Sequence, residues 1–336
     1  MRTITIAAVG DMMLGTDFPE NTLPDDDGVG FLADVTPILS AVDLAVGNLE
    51  GVLLDGGEPA KKCNNPRACY LFRSPSRYAE HFRNAGFDAL SLANNHSRDF
   101  GEEGRLASMR TLAAAGIHHS GLEGDFATIE VDGLRIAFLA YAVTRNSNLM
   151  LTYDLDLARS TVADFAGTHD IVIVSFHGGA EGRNVEHLPF AEEEYFNEPR
   201  GNVVLFARTA IDAGADFVFG HGPHIVRAME HYKGRLIAYS LGNFATYYGI
   251  SVEGMRGIAP ILVVTLDEDG RFIDGRIHST VQERPAGPSI DPKDRALHLI
   301  RDLSNEDFGS PGLHFETDGT IRPVPRDIIR PARDPS

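Results

Sequence analysis

The chain has 336 residues, 43% of them hydrophobic, and a formal net charge of −18 at pH 7. This size and apolar content predict one large folded domain, or one domain with a tail. The acidic balance argues against nonspecific binding to nucleic acid and against docking on an anionic membrane. The N-terminal apolar stretch is too short for a signal peptide and no run of about 18 apolar residues follows, so we expect a cytoplasmic protein without a membrane anchor.

Strand-like apolar runs alternate with segments of helical period through residue 250, a pattern typical of a βαβ core with added antiparallel hairpins. In chain order, we predict a strand at Thr3–Val9, a helix at Phe31–Ser40, a strand at Asp43–Val46, a helix at Pro75–Ala85, a strand at Asp88–Leu92, a helix at Glu102–Ala115, a hairpin within Ile129–Tyr141, a strand at Asp170–Phe176, a helix at Asn202–Ala213, a strand at Asp216–Phe219 and a hairpin of Met229–His231 with Arg235–Ser240.

The last part of the chain predicts one more hairpin, Ile258–Leu266 with Arg271–Gln282, and one helix at Asp294–Leu303. We assign residues 1–283 to the core domain and residues 284–336 to a C-terminal extension that packs on it. Two long loops, Gly51–Ser74 and Gly178–Arg200, interrupt the pattern of strands and helices, and long loops in compact domains are often functional.

Five polar clusters lie directly after predicted strands, where ligand sites form in open α/β sheets. They are Gly10-Asp11, Asn48-Leu49-Glu50, Asn94-Asn95-His96, His177-Gly178 and His221-Gly222-Pro223-His224. Carboxylate, amide and imidazole groups without thiolate favour a hard or borderline divalent metal. We therefore predict one metal centre, whose ligands are Asp11, Glu50, Asn95, His177, His221 and His224.

Taken singly, most of these clusters also have a structural explanation. Asp11 could cap a turn and Glu50 could face solvent. Asn95 could be a turn amide and His96 a core histidine, whereas the spacing of the two histidines in the last cluster is more specific to a metal. Their common position after strands favours the metal centre over five separate structural roles.

Other chemistries lack their signatures. The chain has no GxGxxG, GxxxxGK, GxSxG or HExxH motif, which disfavours a nucleotide-fold oxidoreductase and a serine hydrolase. Only two cysteines are present, so a disulfide framework and a Cys-rich zinc module are excluded. We expect Cys63 and Cys69 to be ordinary thiols.

Seven short motifs resemble those of one known family. They are GDMMLG (10–15), GNLEG (47–51), FRSP (72–75), LANNHSRDFG (92–101), SFHGGAE (175–181), GADFVFGHGPH (214–224) and YSLGNF (239–244). Together they are similar to the CapA family of poly-γ-glutamate capsule synthesis proteins, which is related to calcineurin-like metallophosphoesterases. The resemblance covers roughly residues 1–250. It implies a four-layer α/β/β/α sandwich of two mixed sheets, with one or two divalent ions (Mn, Zn or Fe) at the sheet edge.

The resemblance also implies roles for single residues. It makes His96 the catalytic acid for the leaving group and assigns metal binding to Asp11, Asn95, His177, His221 and His224. Met13 and Asn48 stand where metallophosphoesterases have a histidine ligand and a metal-bridging aspartate. Either the site is dinuclear with Glu50 as the bridge, or it binds one metal firmly and a second weakly.

Further residues are expected around the ligands. We expect Asn48 and Glu181 to contact the metal ligands and orient them, although Glu181 could instead face solvent, and we expect Asn243 to fix the backbone under the site. Four basic residues between positions 61 and 73 stand out in an acidic chain and indicate an anionic substrate, although a solvated loop is the alternative. The residues predicted to bind substrate are Arg73, Lys62 and Asn94.

These features predict a metal-dependent hydrolase that cleaves a phosphoester or a γ-glutamyl or amide bond in a small anionic substrate, using metal-activated water. A non-catalytic or accessory component of poly-γ-glutamate capsule biosynthesis is the alternative, and the missing membrane anchor speaks against it. A ligase or transferase acting on glutamyl groups is a third hypothesis, which no nucleotide-binding loop supports. The oligomeric state stays open.

Overall fold

The computed structural model describes residues 2–61, 70–144, 148 and 154–325. Lys62, Cys63 and Cys69 lie outside these ranges, so the expectations for them stay predictions. The described helices are α1 Thr36–Leu39, α2 Ala79–Ala85, α3 Gly101–Ala114, α4 Leu155–Ala166, α5 Val203–Ala213 and α6 Arg295–Phe308. The described strands are β1 Thr3–Met13, β2 Leu44–Leu49, β3 Val52–Leu53, β4 Arg73–Ser74, β5 Ala89–Ser91, β6 His118–Ser120, β7 Ala127–Val131, β8 Leu134–Ala142, β9 Ile171–His177, β10 Glu193–Tyr195, β11 Glu198–Gly201, β12 Phe217–His221, β13 Met229–Tyr232, β14 Arg235–Ala238, β15 Asn243–Thr246, β16 Ile258–Asp267, β17 Phe272–Gln282, β18 Pro288–Ile290, β19 Leu313–Phe315 and β20 Thr320–Pro323.

Two mixed sheets form the centre of the protein. The first has the order β19-β20-β17-β16-β1-β2-β5-β6, with β15 also paired to β1 and β18 to β17. The second has the order β13-β14-β12-β9-β8-β7. The central strands β1, β2 and β5 run parallel in the first sheet, and β8, β9 and β12 run parallel in the second. Parallel strands place their carboxyl ends at the same edge of each sheet.

Three hydrophobic clusters show how the layers stack. The core between the sheets contains Ile6 and Val46 from the first sheet and Phe138 and Phe219 from the second. The outer face of the first sheet packs against residues of α1, α2 and α3. The outer face of the second sheet packs against α4 and α5. This stacking confirms the expected four-layer α/β/β/α sandwich of two mixed sheets.

Local sequence explains the elements that were predicted. β9 reads IVIVSFH and is buried along its whole length, as expected for a central parallel strand covered on both faces. The Asn202 side chain accepts a hydrogen bond from the Leu205 N–H at 3.0 Å, and Gly214 ends α5 with a φ of 114°. A polar N-cap and a left-handed glycine are common signals for the two ends of a helix.

Some elements were missed. α4 follows a polar stretch and buries only two residues, Ala158 and Val162, so its apolar pattern is weak. The second long loop contains the hairpin β10–β11, whose strands are rich in charged residues. β15 is a short segment of mixed sequence that becomes a strand because it pairs with β1. Tertiary contacts outweigh local propensity in such short strands.

The segment after residue 283 extends the first sheet. Strands β18 and β20 pair with β17, and β19 pairs with β20. Leu297 and Ile300 of α6 are buried in the core between the sheets. The boundary at residue 283 stays a prediction. Within the described ranges, no helix combines the length and the apolar character needed to cross a bilayer, and the cytoplasmic location stays a prediction.

His187 ties the second long loop to the end of α6. Its Nδ1 lies 2.7 Å from the Asp307 carboxylate, and its Nε2 lies 3.6 Å from that of Glu306. The hydrogen bond to Asp307 raises the pKa of His187 despite partial burial, and the charges of Asp307, Glu306 and Glu186 act in the same direction. About half of the side chain is exposed (51%), so solvent screens the interaction.

We expect His187→Gln to lower the free energy of unfolding by roughly 0.5 kcal/mol at a pH below about 6.5. A raised folded-state pKa stabilises the fold below the unfolded value, and this contribution disappears as the pH rises through the folded value. Urea denaturation at about pH 5 and about pH 9 measures the difference. An equal loss at both pH values would contradict the assignment.

Candidate metal centre

The predicted polar clusters meet where the parallel strands end. Asp11 on β1 is the register partner of Asn48 on β2 and of Asn243 on β15. In the second sheet, His177 at the end of β9 lies opposite His221 at the end of β12. Asp11 of the first sheet meets the two histidines of the second sheet across the sandwich. Its Oδ1 lies 3.6 Å from His221 Nδ1 and 4.0 Å from His177 Nδ1.

Glycine at position 10 allows the close approach beside Asp11. A Cβ at Gly10 would lie 1.9 Å from the carbonyl oxygen of Gly242. The Asp11 N–H donates to that same oxygen at 2.9 Å. No larger residue fits, so the glycine that precedes Asp11 in the sequence motif has a packing reason.

One group of possible ligands consists of Asp11, His177 and His221. Each offers a ligand atom within 4.8 Å of the others, and all three residues are fully buried. The Nδ1 atoms of His177 and His221 are 2.9 Å apart. The Ser175 hydroxyl lies 2.9 Å from His221 Nε2 and fixes the orientation of that ring.

A second group consists of Asp11, Glu50 and His224, again with ligand atoms within 4.8 Å of one another. His224 Nδ1 lies 3.0 Å from Asp11 Oδ2 and 2.9 Å from Asn243 Oδ1. His224 Nε2 lies 3.8 Å from Glu50 Oε1. Asp11 belongs to both groups and Glu50 to only one.

Backbone strain is present at His224. Its φ is 61°, in the left-handed region that residues with a side chain rarely adopt. Such a conformation costs on the order of 1 kcal/mol and persists when surrounding contacts hold it in place. The hydrogen bonds of the imidazole to Asp11 and Asn243 are such contacts.

The two histidines at the strand ends are in the form that binds metal. Burial holds the pKa of His177 well below its usual range, although the Asp11 carboxylate opposes the shift. Burial lowers the pKa of His221 to about 4, although the Asp11 carboxylate opposes the shift. Both rings are therefore neutral at neutral pH, as metal coordination requires.

The carboxylates create a strongly negative environment around His224. Burial lowers the pKa of His224, but the charges of Glu50, Asp11 and Glu181 and the hydrogen bond to Asp11 raise it to about 10. Burial raises the pKa of Glu50 well above its usual range, and the charge of Asp11 raises it further. Burial also acts upward on Asp11, but its hydrogen bond to His224 and the histidine charges hold its pKa well below the usual range. This cluster of carboxylates attracts a cation.

Buried polar atoms without a hydrogen-bond partner indicate whether the residues of the site fit a metal ion. Both carboxylate oxygens of Glu50, Nε2 of His177 and Oδ1 of Asn95 are buried without a hydrogen-bond partner among the described residues. Buried polar atoms in proteins are nearly always hydrogen-bonded or bound to an ion. The carboxylate and imidazole groups of the two sets of possible ligands are suitable for Mn, Fe or Zn. The residues therefore fit a divalent metal.

Two asparagines form a chain of hydrogen bonds behind Asp11. Asn48 donates its amide N–H to Asp11 Oδ1 at 2.8 Å. Asn94 donates to Asn48 Oδ1 at 3.0 Å and to the Leu49 carbonyl at 2.8 Å. The Asn48 amide therefore fixes the orientation of Asp11, and its predicted role behind a metal ligand stays a prediction. The predicted contact of Asn94 with substrate stays a prediction.

His96 forms a hydrogen-bonded pair with Asp99, a residue that sequence reasoning missed. His96 Nδ1 lies 2.8 Å from Asp99 Oδ2, and the imidazole packs on the Phe72 ring at 4.2 Å between centroids. Asp99 also accepts the Phe72 N–H at 2.8 Å and lies 3.2 Å from Lys61 Nζ. Burial lowers the pKa of His96, although Asp99 opposes the shift. The i, i+3 spacing within the NNHSRD motif was the available signal.

A cavity of about 250 Å³ is lined by His96 and by His224, a member of the second group of possible ligands. Its other walls include Glu181, whose carboxylate lies 3.8 Å from His224 Nε2 and 3.0 Å from an Arg200 nitrogen. Sequence reasoning missed four residues of this region, which only the folded chain brings to the site. They are Asp99, Ser175, Tyr195 and Arg256.

Arg73 and Asn95, two predicted site residues, are held away from this cavity. The Arg73 guanidinium bonds to Asp17 at 2.6 Å and to the carbonyls of Gly56 and Gly57, so it connects the first long loop to the segment after β1. Its role in substrate binding stays a prediction. Asn95 lines a neighbouring cavity together with Lys61 and other residues, and its role as a ligand also stays a prediction.

Met13 and Asn48, the two departures from the metallophosphoesterase pattern, have clear positions. Met13 is buried in a small cluster with Phe72 and Ile250, so it contributes to packing. Asn48 presents a donor to Asp11, whereas an aspartate there would present a second charge. The carboxylate that joins Asp11 at the site is Glu50.

Curated relatives include capsule proteins of bacilli. The chain is 28% identical over 261 residues to the capsule biosynthesis protein CapA of Bacillus anthracis, covering 72% of this chain and 59% of that protein. It is 27% identical over 256 residues to the PGA biosynthesis protein CapA of Bacillus subtilis (strain 168), covering 72% and 63%. A probable polyglutamine synthesis accessory protein of Mycobacterium tuberculosis is 29% identical over 249 residues, covering 65% and 58%. The chain thus spans about three-fifths of the length of these relatives.

A solved structure supports the fold. A hypothetical protein from Thermus thermophilus matches with a TM-score of 0.50 and 16% identity, covering 83% of this chain and 100% of that one. Residues 5–248 match the profile of the bacterial capsule synthesis protein family PGA_cap. Since this match covers more than half of the chain, the protein belongs to the PGA_cap family of bacterial capsule synthesis proteins.

Proposed function

We propose that this protein is a metal-dependent hydrolase that cleaves a phosphoester or a γ-glutamyl or amide bond in a small anionic substrate. The observation that carries the proposal is the pair of buried ligand groups that share Asp11 beside a cavity. Both groups lie within the part of the chain that matches the capsule synthesis family. We propose one or two divalent ions (Mn, Zn or Fe), with Asp11 as the residue common to both positions.

Three of the proposed ligands have a partner that orients them. Asp11 is held by Asn48, and His221 by the Ser175 hydroxyl. Asn243 holds His224. A divalent ion bound there would supply Lewis acidity, polarising the substrate and making water a better nucleophile at neutral pH. The protein's part is to fix the ligands and to shape the cavity in which the substrate is oriented.

His96 is proposed as the group that donates a proton to the leaving group. It lines the same cavity as His224, so a bound substrate would lie within reach of it. Asp99 acts as a positioning residue, because its bond to Nδ1 leaves Nε2 of His96 to face the substrate. Phe72 packs on the ring and restricts its rotation.

An accessory, non-catalytic role in γ-linked polymer synthesis is the second candidate. The name of the mycobacterial relative, probable polyglutamine synthesis accessory protein, favours it. Met13 and Asn48 also depart from the phosphoesterase pattern, which has a histidine and an aspartate at these two positions. In this role the metal centre would bind the substrate without cleaving it.

Turnover by the protein loaded with Mn, Zn or Fe, screened on phosphomonoesters and γ-glutamyl peptides, tests the hydrolase proposal. We expect His96→Gln to lower kcat by roughly 10²- to 10⁴-fold, the usual contribution of a positioned acid, with metal content unchanged. His119→Gln is a matched control, because His119 Nδ1 forms a similar pair with Asp125 at 2.9 Å outside the site. Its kcat should stay at the wild-type level.

Two outcomes would count against the hydrolase. Absence of turnover on every substrate, with metal bound and the fold intact, would favour the accessory role. Equal losses of kcat in His96→Gln and His119→Gln would remove His96 from the chemistry. If the His96→Gln variant stimulates a membrane-bound ligase as strongly as the wild type does, that result would support the accessory role.

A further inference from the structure

The cavity beside the metal centre contains a cationic side chain that none of the motifs includes. Among the residues that the structure describes, Arg256 is the only lysine or arginine lining this cavity. It lies after β15, outside residues 5–248 that match the family profile. The same cavity holds His96 and His224, so Arg256 shares it with the proposed proton donor and a proposed metal ligand.

The Arg256 guanidinium keeps most of its hydrogen-bonding capacity. One terminal nitrogen donates to the Gly182 carbonyl at 2.9 Å. No carboxylate of the described chain lies within 4.0 Å of it. Glu181, the acidic residue of the cavity, instead forms an ion pair with Arg200 at 3.0 Å. A guanidinium has five N–H donors, so Arg256 can bind an anion with both charge and geometry.

The position of Arg256 is fixed relative to the metal ligands. The amide nitrogen of Asn243 donates to the Ser251 carbonyl at 3.1 Å and to the Arg256 carbonyl at 3.3 Å. The amide oxygen of the same side chain lies 2.9 Å from His224 Nδ1. One asparagine therefore connects a proposed metal ligand to the backbone that carries the guanidinium. A fixed separation between the two charges would select substrates by length.

Two tyrosines form further walls of the cavity. Tyr195 comes from the hairpin β10–β11, and Tyr70 follows the undescribed part of the first long loop. The Tyr195 ring packs against the Arg200 guanidinium at 5.3 Å, so its position is supported. Flat aromatic walls fit the planar amide or alkyl part of a small molecule that joins two polar ends.

We propose that Arg256 binds an anionic group, a carboxylate or a phosphate, at the end of the substrate remote from the bond that is cleaved. The proposal rests on the proposed function, because the other end of the substrate would lie at the metal centre. It makes the preferred substrate doubly anionic, with one polar end at the metal and the second at the guanidinium. Arg256 is thus a residue that determines specificity.

Isothermal titration calorimetry on the Mn-loaded protein tests the proposal without requiring turnover. One pair of probes is γ-glutamylglutamate and its analogue with the C-terminal residue amidated at both carboxylates. A second pair is propane-1,3-diol bisphosphate and propyl phosphate. The first pair tests a carboxylate and the second pair tests a phosphate. Within each pair, one probe has a charged tail and the other has a neutral tail. The variants are Arg256→Met, Arg256→Lys and the control Arg183→Met, which removes a nearby exposed arginine that does not line this cavity.

We expect Arg256→Met to raise the Kd of at least one doubly anionic probe by about tenfold or more, as for the loss of a hydrogen bond to a charged group. The Kd of the neutral-tailed partner and the metal content should not change. Arg256→Lys should recover part of the affinity, since it keeps the charge and loses the bidentate geometry. Arg183→Met should behave as the wild type.

The proposal is overturned if the wild type binds neither doubly anionic probe more tightly than its neutral partner. It is also overturned if Arg256→Met weakens both members of a pair equally, or if Arg183→Met has the same effect as Arg256→Met. Failure of the hydrolase proposal would give a different set of results. Selective, Arg256-dependent binding without cleavage would support the anion site and reject the hydrolase, whereas cleavage without Arg256-dependent selectivity would do the reverse.

Discussion

Replacing Asp11 by asparagine is expected to abolish stable metal binding and to reduce turnover by more than roughly 100-fold. Loss of a residue that only hydrogen-bonds to a metal ligand costs up to about that factor. Asp11 is the one residue that belongs to both ligand groups, so its charge serves both positions. The substitution keeps the size of the side chain and removes only the charge. Metal analysis after dialysis, together with steady-state kinetics on the best substrate, measures the loss.

A matched control for this substitution is Asp88→Asn. Asp88 precedes β5 at the end of the sheet opposite the metal centre, and its carboxylate accepts the Ala45 N–H at 2.7 Å. The control should keep wild-type metal content. Thermal unfolding of both variants without metal verifies that each is folded. If Asp11→Asn retains metal with the wild-type stoichiometry and affinity, the assignment of the centre is wrong.

Replacing Arg227 by methionine is expected to lower the free energy of unfolding by about 3–5 kcal/mol, the cost of breaking a buried ion pair. The Arg227 side chain is 0% exposed, and its guanidinium binds both oxygens of Glu193 at 2.9 Å and 2.8 Å. It also donates to the Val185 carbonyl at 2.7 Å. Methionine would leave the Glu193 carboxylate buried without its counter-charge. Urea denaturation measures the loss.

A double variant separates the lost pair from lost packing. Arg227→Met with Glu193→Leu removes both charges, and we expect it to be more stable than Arg227→Met alone, because no uncompensated charge remains. Lys233→Met is the control, since its pair with Asp212 is exposed and screened by solvent, so its loss should leave the stability close to that of the wild type. A double variant less stable than the single one would show that the hydrogen bonds matter more than the charge balance.

The ion pair between Arg227 and Glu193 also holds the loop that forms part of the cavity lined by His96 and His224. Glu193 belongs to β10, accepts the Ala180 N–H at 2.9 Å, and lies in the same loop as Glu181 and Tyr195. Arg227 therefore connects the second long loop to the segment that follows His224. Partial loosening of this loop in Arg227→Met would displace cavity walls without touching the metal ligands.

Much of the fold could be predicted from the sequence because its signals are local. The buried run IVIVSFH, the polar cap Asn202 and the glycine after α5 each act within a few residues. The positions of His177 and His221 at strand ends could be predicted for the same reason. Short or charged segments such as β10 and β15 could not, because their pairing partners decide their conformation.

The sequence by itself determined the alternation of strands and helices and the polar residues at strand ends, whereas the four layers of the sandwich were implied by the family resemblance. Only the tertiary structure decided that Asp11 belongs to both groups of possible ligands, that Asp99 holds His96, that Arg73 pairs with Asp17 and that Arg256 lines the cavity. The physical reason is the range of the interactions. Strand and helix patterns depend on neighbours along the chain, whereas side chains meet in a site through the packing of two sheets and the loops that join them.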